Sequence, residues 1–240
     1  MKKYALSISS ILLIIIIWQL GANRVDNPYI LPGFISVISK VIDLLLSLET
    51  YLIIMASLLR LLTSIFMAIS LGILLGLLAG IWLNIDIFLK PILSTIKTLP
   101  VASIIVIILI LFTKSTALYV ITFLILFPII YEATRQGVLN IDKELVDSLR
   151  LEPVRYGSII KSFYLPLALP YIKTSFLQSF GLGFKVLIMA EFISQAEKSI
   201  GQSLYISSIS INYELVFAWS IIIILIAYLI DSIIATLKTH

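Results

Sequence analysis

Between Tyr51 and Leu83 the chain runs for 33 residues with one charge, Arg60. As a helix at 1.5 Å per residue this stretch is about 50 Å long, well beyond the roughly 30 Å of a bilayer's hydrocarbon core, so it must tilt or project into the interface at its Arg60 end. Other apolar runs approach the ~20 residues that a crossing needs, and none alternates apolar and polar residues as a barrel strand would. Composition agrees: 60% of residues are hydrophobic, 12% are charged and the mean hydropathy is +1.14. These values exclude an ordinary soluble domain. The expected fold is an all-α polytopic membrane protein.

Six spans are expected: Tyr4–Leu20, Tyr51–Leu83, Pro91–Phe112, Ala117–Tyr131, Pro166–Ile193 and Glu214–Thr236. The first, behind Lys2 and Lys3, has the outline of a leader peptide with Gly21-Ala22 as a small-residue cleavage site, but it reads better as a retained span. The turn-rich stretch from Gly21 to Gly33 reads as an outer loop. From Phe34 to Leu48 the polar residues Ser36, Ser39, Lys40, Asp43 and Ser47 form one stripe, the pattern of a helix lying along the membrane surface. The division is therefore 1–50, with the first span, outer loop and interfacial helix, and 51–240, a five-helix core.

Lysine and arginine concentrate on the cytoplasmic side of membrane proteins. With both termini inside, Lys2, Lys3, Lys90, Lys97, Arg135, Lys143, Arg150, Arg155, Lys161 and Lys238 face the cytoplasm, ten against the four of Arg24, Lys40, Lys114 and Lys198. That bias accounts for the net charge of +4 without any nucleic acid partner. The polar connection of about 132–165 is then cytoplasmic. Within it Asn140 or Asp142 can cap a short helix whose apolar stripe is Ile141, Leu145 and Leu149, with Val146 beside them. Such a stripe must be buried, either on the chain's own surface or in a groove of a separate subunit.

From about Ser57 to the C-terminus the sequence resembles the permease subunit of binding-protein-dependent ABC importers, in its nitrate, sulfonate and taurine branch. That family's cytoplasmic signature is Glu-Ala-Ala, three residues, Gly, nine residues, Ile, any residue and Leu-Pro. Here the register places Asp147-Ser148-Leu149, Pro153, Phe163 and Leu165-Pro166, keeping the spacing of this EAA signature but few of its identities. Closer agreement lies in Ile141–Val146, in Leu165–Ile172, in Phe184-Lys185 with Ala190-Glu191, and in Glu214–Ala218. Proline at 153 cannot take the left-handed conformation that glycine adopts after a helix, and it disfavours helix at Glu152, so the short helix should end near Leu151.

The resemblance implies a type I importer fold with a cytoplasmic coupling helix. It implies an assembly of two permease copies, two ATP-binding subunits and an extracytoplasmic substrate-binding protein in a bacterial or archaeal cytoplasmic membrane. ATP and magnesium would sit on the ATPase; this chain carries no GxxxxGK[ST] loop and no cofactor is expected in it. Contact with the ATPase would fall on Asp147, Ser148, Leu149, Arg150, Pro153 and Tyr156. The branch's solutes include nitrate and sulfonates, and similar permeases carry vitamin precursors.

For the route itself, Thr174, Gln178, Gly181 and Lys185 recur at four, three and four residues and share one helix face. A charge inside a span is costly and usually faces a wet cavity, so Lys185 is a pathway candidate that favours an anion. Glu191 is on another face, suited to a structural bond or an outer gate. Pro100, beside Lys97, Thr98 and Ser103, is placed to bend a helix along the route. Gly72, Gly76 and Gly80 repeat at four residues and read as a packing surface. An ATP-independent secondary carrier or channel is the alternative, but the repeated halves it would need are not visible. An intramembrane enzyme lacks material: there is no cysteine, and the single histidine is His240.

Overall fold

A computed structural model of the chain describes residues 2–142, 144–146 and 159–238. Among them every regular element is helical. The helices are α1 (Lys2–Val25), α2 (Phe34–Leu46), α3 (Leu48–Ile81), α4 (Leu83–Thr98), α5 (Val101–Leu111), α6 (Lys114–Leu139), α7 (Leu165–Ser194, entered through a π-helical turn at Ile160–Tyr164), α8 (Ile200–Ile209) and α9 (Tyr213–Lys238). Four are long and apolar enough to cross a membrane: α3, α6, α7 with its entry turn, and α9. The pair α4 and α5 makes a fifth if it counts as one span, and Ser9–Val25 of α1 is a shorter apolar helix.

The stretch Pro91–Phe112, expected as one span, is instead bent by 104° between α4 and α5. Leu99 precedes a proline and is extended (ψ 134°), and Pro100 has no N–H to continue the helix, so the chain turns there and α5 starts afresh. Pro91 lies inside α4 and does not end it. Helix α1 also runs past the expected loop boundary at Gly21, to Val25. Gln19 Nε2 donates to Asn23 Oδ1 at 2.8 Å along that extra turn, and the helix stops where Asp26 takes a left-handed φ of 48°.

The chain divides into two compact units. The first comprises residues 1–57 and 191–229. Trp18 anchors it: its ring packs on Phe34 (5.7 Å) and Phe217 (5.2 Å), and its Nε1 donates to the Pro32 carbonyl at 3.0 Å. Val37 and Val41 give α2 its buried face, while Lys40 and Asp43 pair at 3.3 Å on the outer one. The second unit comprises 58–190 and 230–240. Its centre is α3 against α6, where Gly72, Gly76 and Gly80 meet Ile130, Thr134 and Val138, one four-residue ladder laid on another. The packing reading of those glycines is what the structure has. Leu77, Val138, Ala168 and Ile172 form the adjoining core.

Half of the apolar window of α6 and of α7 is buried inside the chain, against 17% for α9. Ile224, Tyr228 and Leu229 of α9 are exposed, as expected of a helix whose solvent is lipid.

Candidate translocation site

Helix α6 continues eight residues beyond Tyr131, so Glu132, Arg135, Gln136 and Asn140 belong to its last two turns and its C-cap, not to a polar loop. Its charges reach across to α4. Arg135 pairs with Asp86, its Nη2 donating to Oδ2 at 2.7 Å and its Nε lying close to Oδ1, with both side chains largely buried. The Tyr131 hydroxyl donates to Asp86 Oδ1 at 3.3 Å. Glu132 receives Lys97 Nζ at 3.5 Å, Arg135 Nη1 at 3.3 Å and Gln136 Nε2 at 3.0 Å. The result is a charge-balanced strap between α4 and α6.

Beside the strap opens a cavity of about 880 Å³ between α6 and α7, with Lys97 of α4 on its rim. From α6 come Glu132, Gln136 and Asn140, spaced by four; from α7 come Pro170, Thr174 and Gln178, spaced by four again. Four residues advance a helix by just over one turn, so each set stacks along one face, polar throughout on α6 and polar at Thr174 and Gln178 on α7. Asn140 Nδ2 donates to the Tyr171 hydroxyl at 3.1 Å, joining the two helices at one end. Pro166 and Pro170 shape the start of α7. A proline ring cannot fit over the carbonyl four residues back, and the wide π turn, with Leu165 N–H bonded to the Ile160 carbonyl, precedes the first of them.

Of the residues singled out for the route, Thr174 and Gln178 line this cavity; Gly181, Lys185, Pro100 and Glu191 do not. Thr174, Gln178 and Lys185 are nevertheless all exposed and Gly181 partly so, one uncovered face along a spanning helix. A Cβ on Gly181 would come within 3.6 Å of Asp231 Oδ1 of α9, a second intramembrane charge that the sequence reading passed over. Pro100 lies at the α4–α5 bend. The ATPase-contact residues Asp147, Ser148, Leu149, Arg150, Pro153 and Tyr156 lie outside the described residues. Just before them, Asp142 Oδ1 accepts from Glu144 N–H at 3.1 Å, and the Asp142 carbonyl from Val146 N–H at 3.2 Å, the contacts of a helix N-cap.

Glu191 is fully buried in the first unit. Ser57 Oγ donates to its two carboxylate oxygens at 2.8 and 3.0 Å, and Gly201 N–H donates to Oε2 at 3.2 Å. Ile200 N–H donates to Ser57 Oγ at 3.2 Å, and Gln202 N–H to the capping Ser199 Oγ at 3.0 Å. The first turn of α8 is thus held by a buried carboxylate and two hydroxyls. Glu191→Gln puts an amide donor opposite N–H and O–H donors. It is expected to lower unfolding free energy in detergent by about 2 kcal/mol, and Ser57→Ala by about 1 kcal/mol. A Glu191→Gln melting curve that overlays the parent's would show that the carboxylate does not hold α8.

The model of one protein family, described as binding-protein-dependent transport system inner membrane component, matches residues 68–239, more than two thirds of the chain and all of α4 to α8. No curated protein matches the chain. Helices of membrane-spanning length, a cavity between two of them and this match over most of the sequence lead to one conclusion: the chain belongs to the family of inner-membrane components of binding-protein-dependent transport systems.

Proposed function

We propose that the chain is the permease of an ATP-driven importer for a small solute, with six spans per chain, both termini cytoplasmic, and a homodimer as the working form. In this reading the bent α4–α5 pair and α1 both cross, and the route runs along the Thr174, Gln178, Gly181 and Lys185 face of α7. Two copies of an ATPase bind below at the capped segment after Asp142, and a substrate-binding protein delivers solute from outside. The observation that carries the reading is the uncovered polar face of α7 opening onto the 880 Å³ cavity. Polar groups on a membrane-spanning face are costly against lipid, so a second copy or a water-filled route is the reasonable cover. A closed twofold assembly supplies both.

Two copies can alternate between inward-open and outward-open states, each favoured by a different partner. The chain then performs no bond chemistry; it converts the movement of the ATPase pair into a change of access. Affinity purification of the chain from its native membrane is expected to bring down an ATP-binding subunit in a one-to-one ratio. Introducing Leu149→Asp together with Arg150→Asp is expected to reduce receptor-stimulated ATP hydrolysis at least tenfold while the chain still inserts in the membrane. Unchanged transport by that variant would refute the coupling role. Gradient-driven uptake by the chain alone would make it a secondary carrier.

A further inference from the structure

We infer that the α6–α7 cavity selects a solute of zero net charge, recognised through hydrogen bonds, and not an anion. This rests on the cavity being part of the route. Its described lining carries two charged side chains, Lys97 and Glu132, and these face each other at 3.5 Å. Glu132 is further engaged by Arg135 at 3.3 Å and Gln136 at 3.0 Å, and Arg135 in turn is neutralised by Asp86. Two acids and two bases therefore cancel within the chain. Lys185, which gave the sequence its leaning towards an anion, does not line the cavity, and Lys90 lines a different one, of about 320 Å³.

An anion entering this space must draw Lys97 away from Glu132 and then sit beside the carboxylate it has exposed. A cation must displace Lys97, Arg135 and Gln136 from Glu132. Either exchange trades one ion pair for another and leaves a charge of the wrong sign near the ligand. An uncharged solute disturbs neither pair. It meets amide and hydroxyl groups at Gln136, Asn140, Thr174 and Gln178, and apolar walls at Ile129 and Ala133. Polar groups that can both donate and accept discriminate among solutes by the bonds left unmade once a solute covers them, so a charge-cancelled site need not be unselective.

The absence of native cysteine makes a direct test available, since one introduced thiol is the only one in the chain. Gln178→Cys, assembled with its ATPase in lipid nanodiscs so that both faces meet reagent, is treated during ATP turnover with three methanethiosulfonates. These are the anionic 2-sulfonatoethyl, the cationic 2-trimethylammonioethyl and the neutral 2-hydroxyethyl forms. Each rate is normalised to that of a free thiol. The expected anion-to-cation ratio lies within about threefold of one, with the neutral reagent fastest. Lys97→Gln should lower that ratio and Glu132→Gln raise it, each roughly tenfold for one uncompensated charge nearby. A tenfold or greater anion preference before either charge is altered overturns the inference and leaves the route intact. If no reagent modifies the cysteine while an exposed Asn23→Cys control reacts, the route itself is misassigned. Thr174→Cys serves as the second reporter should Gln178→Cys fail to assemble.

Discussion

Arg135→Ala is expected to cost about 3 kcal/mol of unfolding free energy in detergent, the low end for breaking a buried ion pair because a little of each side chain remains exposed. The reason lies in what is left behind. Asp86, buried between α4 and α6, loses the Nη2 hydrogen bond and the adjacent positive charge, and retains the longer bond from Tyr131 at 3.3 Å. Lysine at 135 should recover only part of this, since an ammonium cannot reproduce the guanidinium's reach to Asp86 through Nη2 and to Glu132 through Nη1 at once. Removing both partners should cost less than the two single losses together, because no uncompensated charge is then buried. In a double-mutant cycle, Asp86→Ala with Arg135→Ala should therefore fall short of the sum of its parts by about 2 kcal/mol. A strictly additive cycle would mean that the pair does not tie α4 to α6.

The same strap explains what the sequence left unread. Asp86 and Arg135 are 49 residues apart, and no local pattern links them. Glu132, Gln136 and Asn140 are spaced by four, a helical spacing, but polarity after an apolar run is equally the mark of a loop. The helix persists because its polar residues satisfy one another at helical distances, Glu132 with Arg135 and with Gln136, and because Gly137 is used to bring Ala168 close rather than to end the helix. Polar residues past the end of an apolar run mark where the lipid stops, which is a different matter from where the helix stops. Elsewhere local chemistry was sufficient. The three glycines at spacing four announce a close helix pair, and of the two caps offered, Asn140 and Asp142, it is Asp142 whose side chain accepts a cap bond. Pro100 announced a bend, but its angle of 104° depends on packing that no dipeptide encodes. Lys185 misled in the opposite direction, since a charge in a span marks an interesting face without saying which cavity it lines.

Gly76→Ala is expected to be comparably damaging, by about 3 kcal/mol, although it adds one methyl group. A Cβ there would lie 2.7 Å from Thr134 Cβ and 2.7 Å from the Tyr131 carbonyl oxygen. The second obstacle is backbone, which no rotamer change removes, so α3 must move off α6 and the contacts along the interface loosen with it. Association of helices in lipid depends on close packing and gains little from a hydrophobic drive, so a lost ångström is not recovered elsewhere. Gly80 provides the contrast. Its closest obstacles, at 2.6 and 2.8 Å, are Val138 Cβ and Cγ1, all side chain. Gly80→Ala and Val138→Gly should each destabilise alone but couple in the double variant, which should be less damaging than their sum by at least about 1.5 kcal/mol. The corresponding pair at the middle rung, Gly76→Ala with Thr134→Gly, should stay closer to additive because the Tyr131 carbonyl still blocks the way. Denaturant titration of the four single and two double variants in one detergent distinguishes the cases. Equal coupling at both rungs would mean that the backbones of α3 and α6 are not in contact at Gly76, and the close approach that sets the position of α6, and of the cavity beside it, would have to be abandoned.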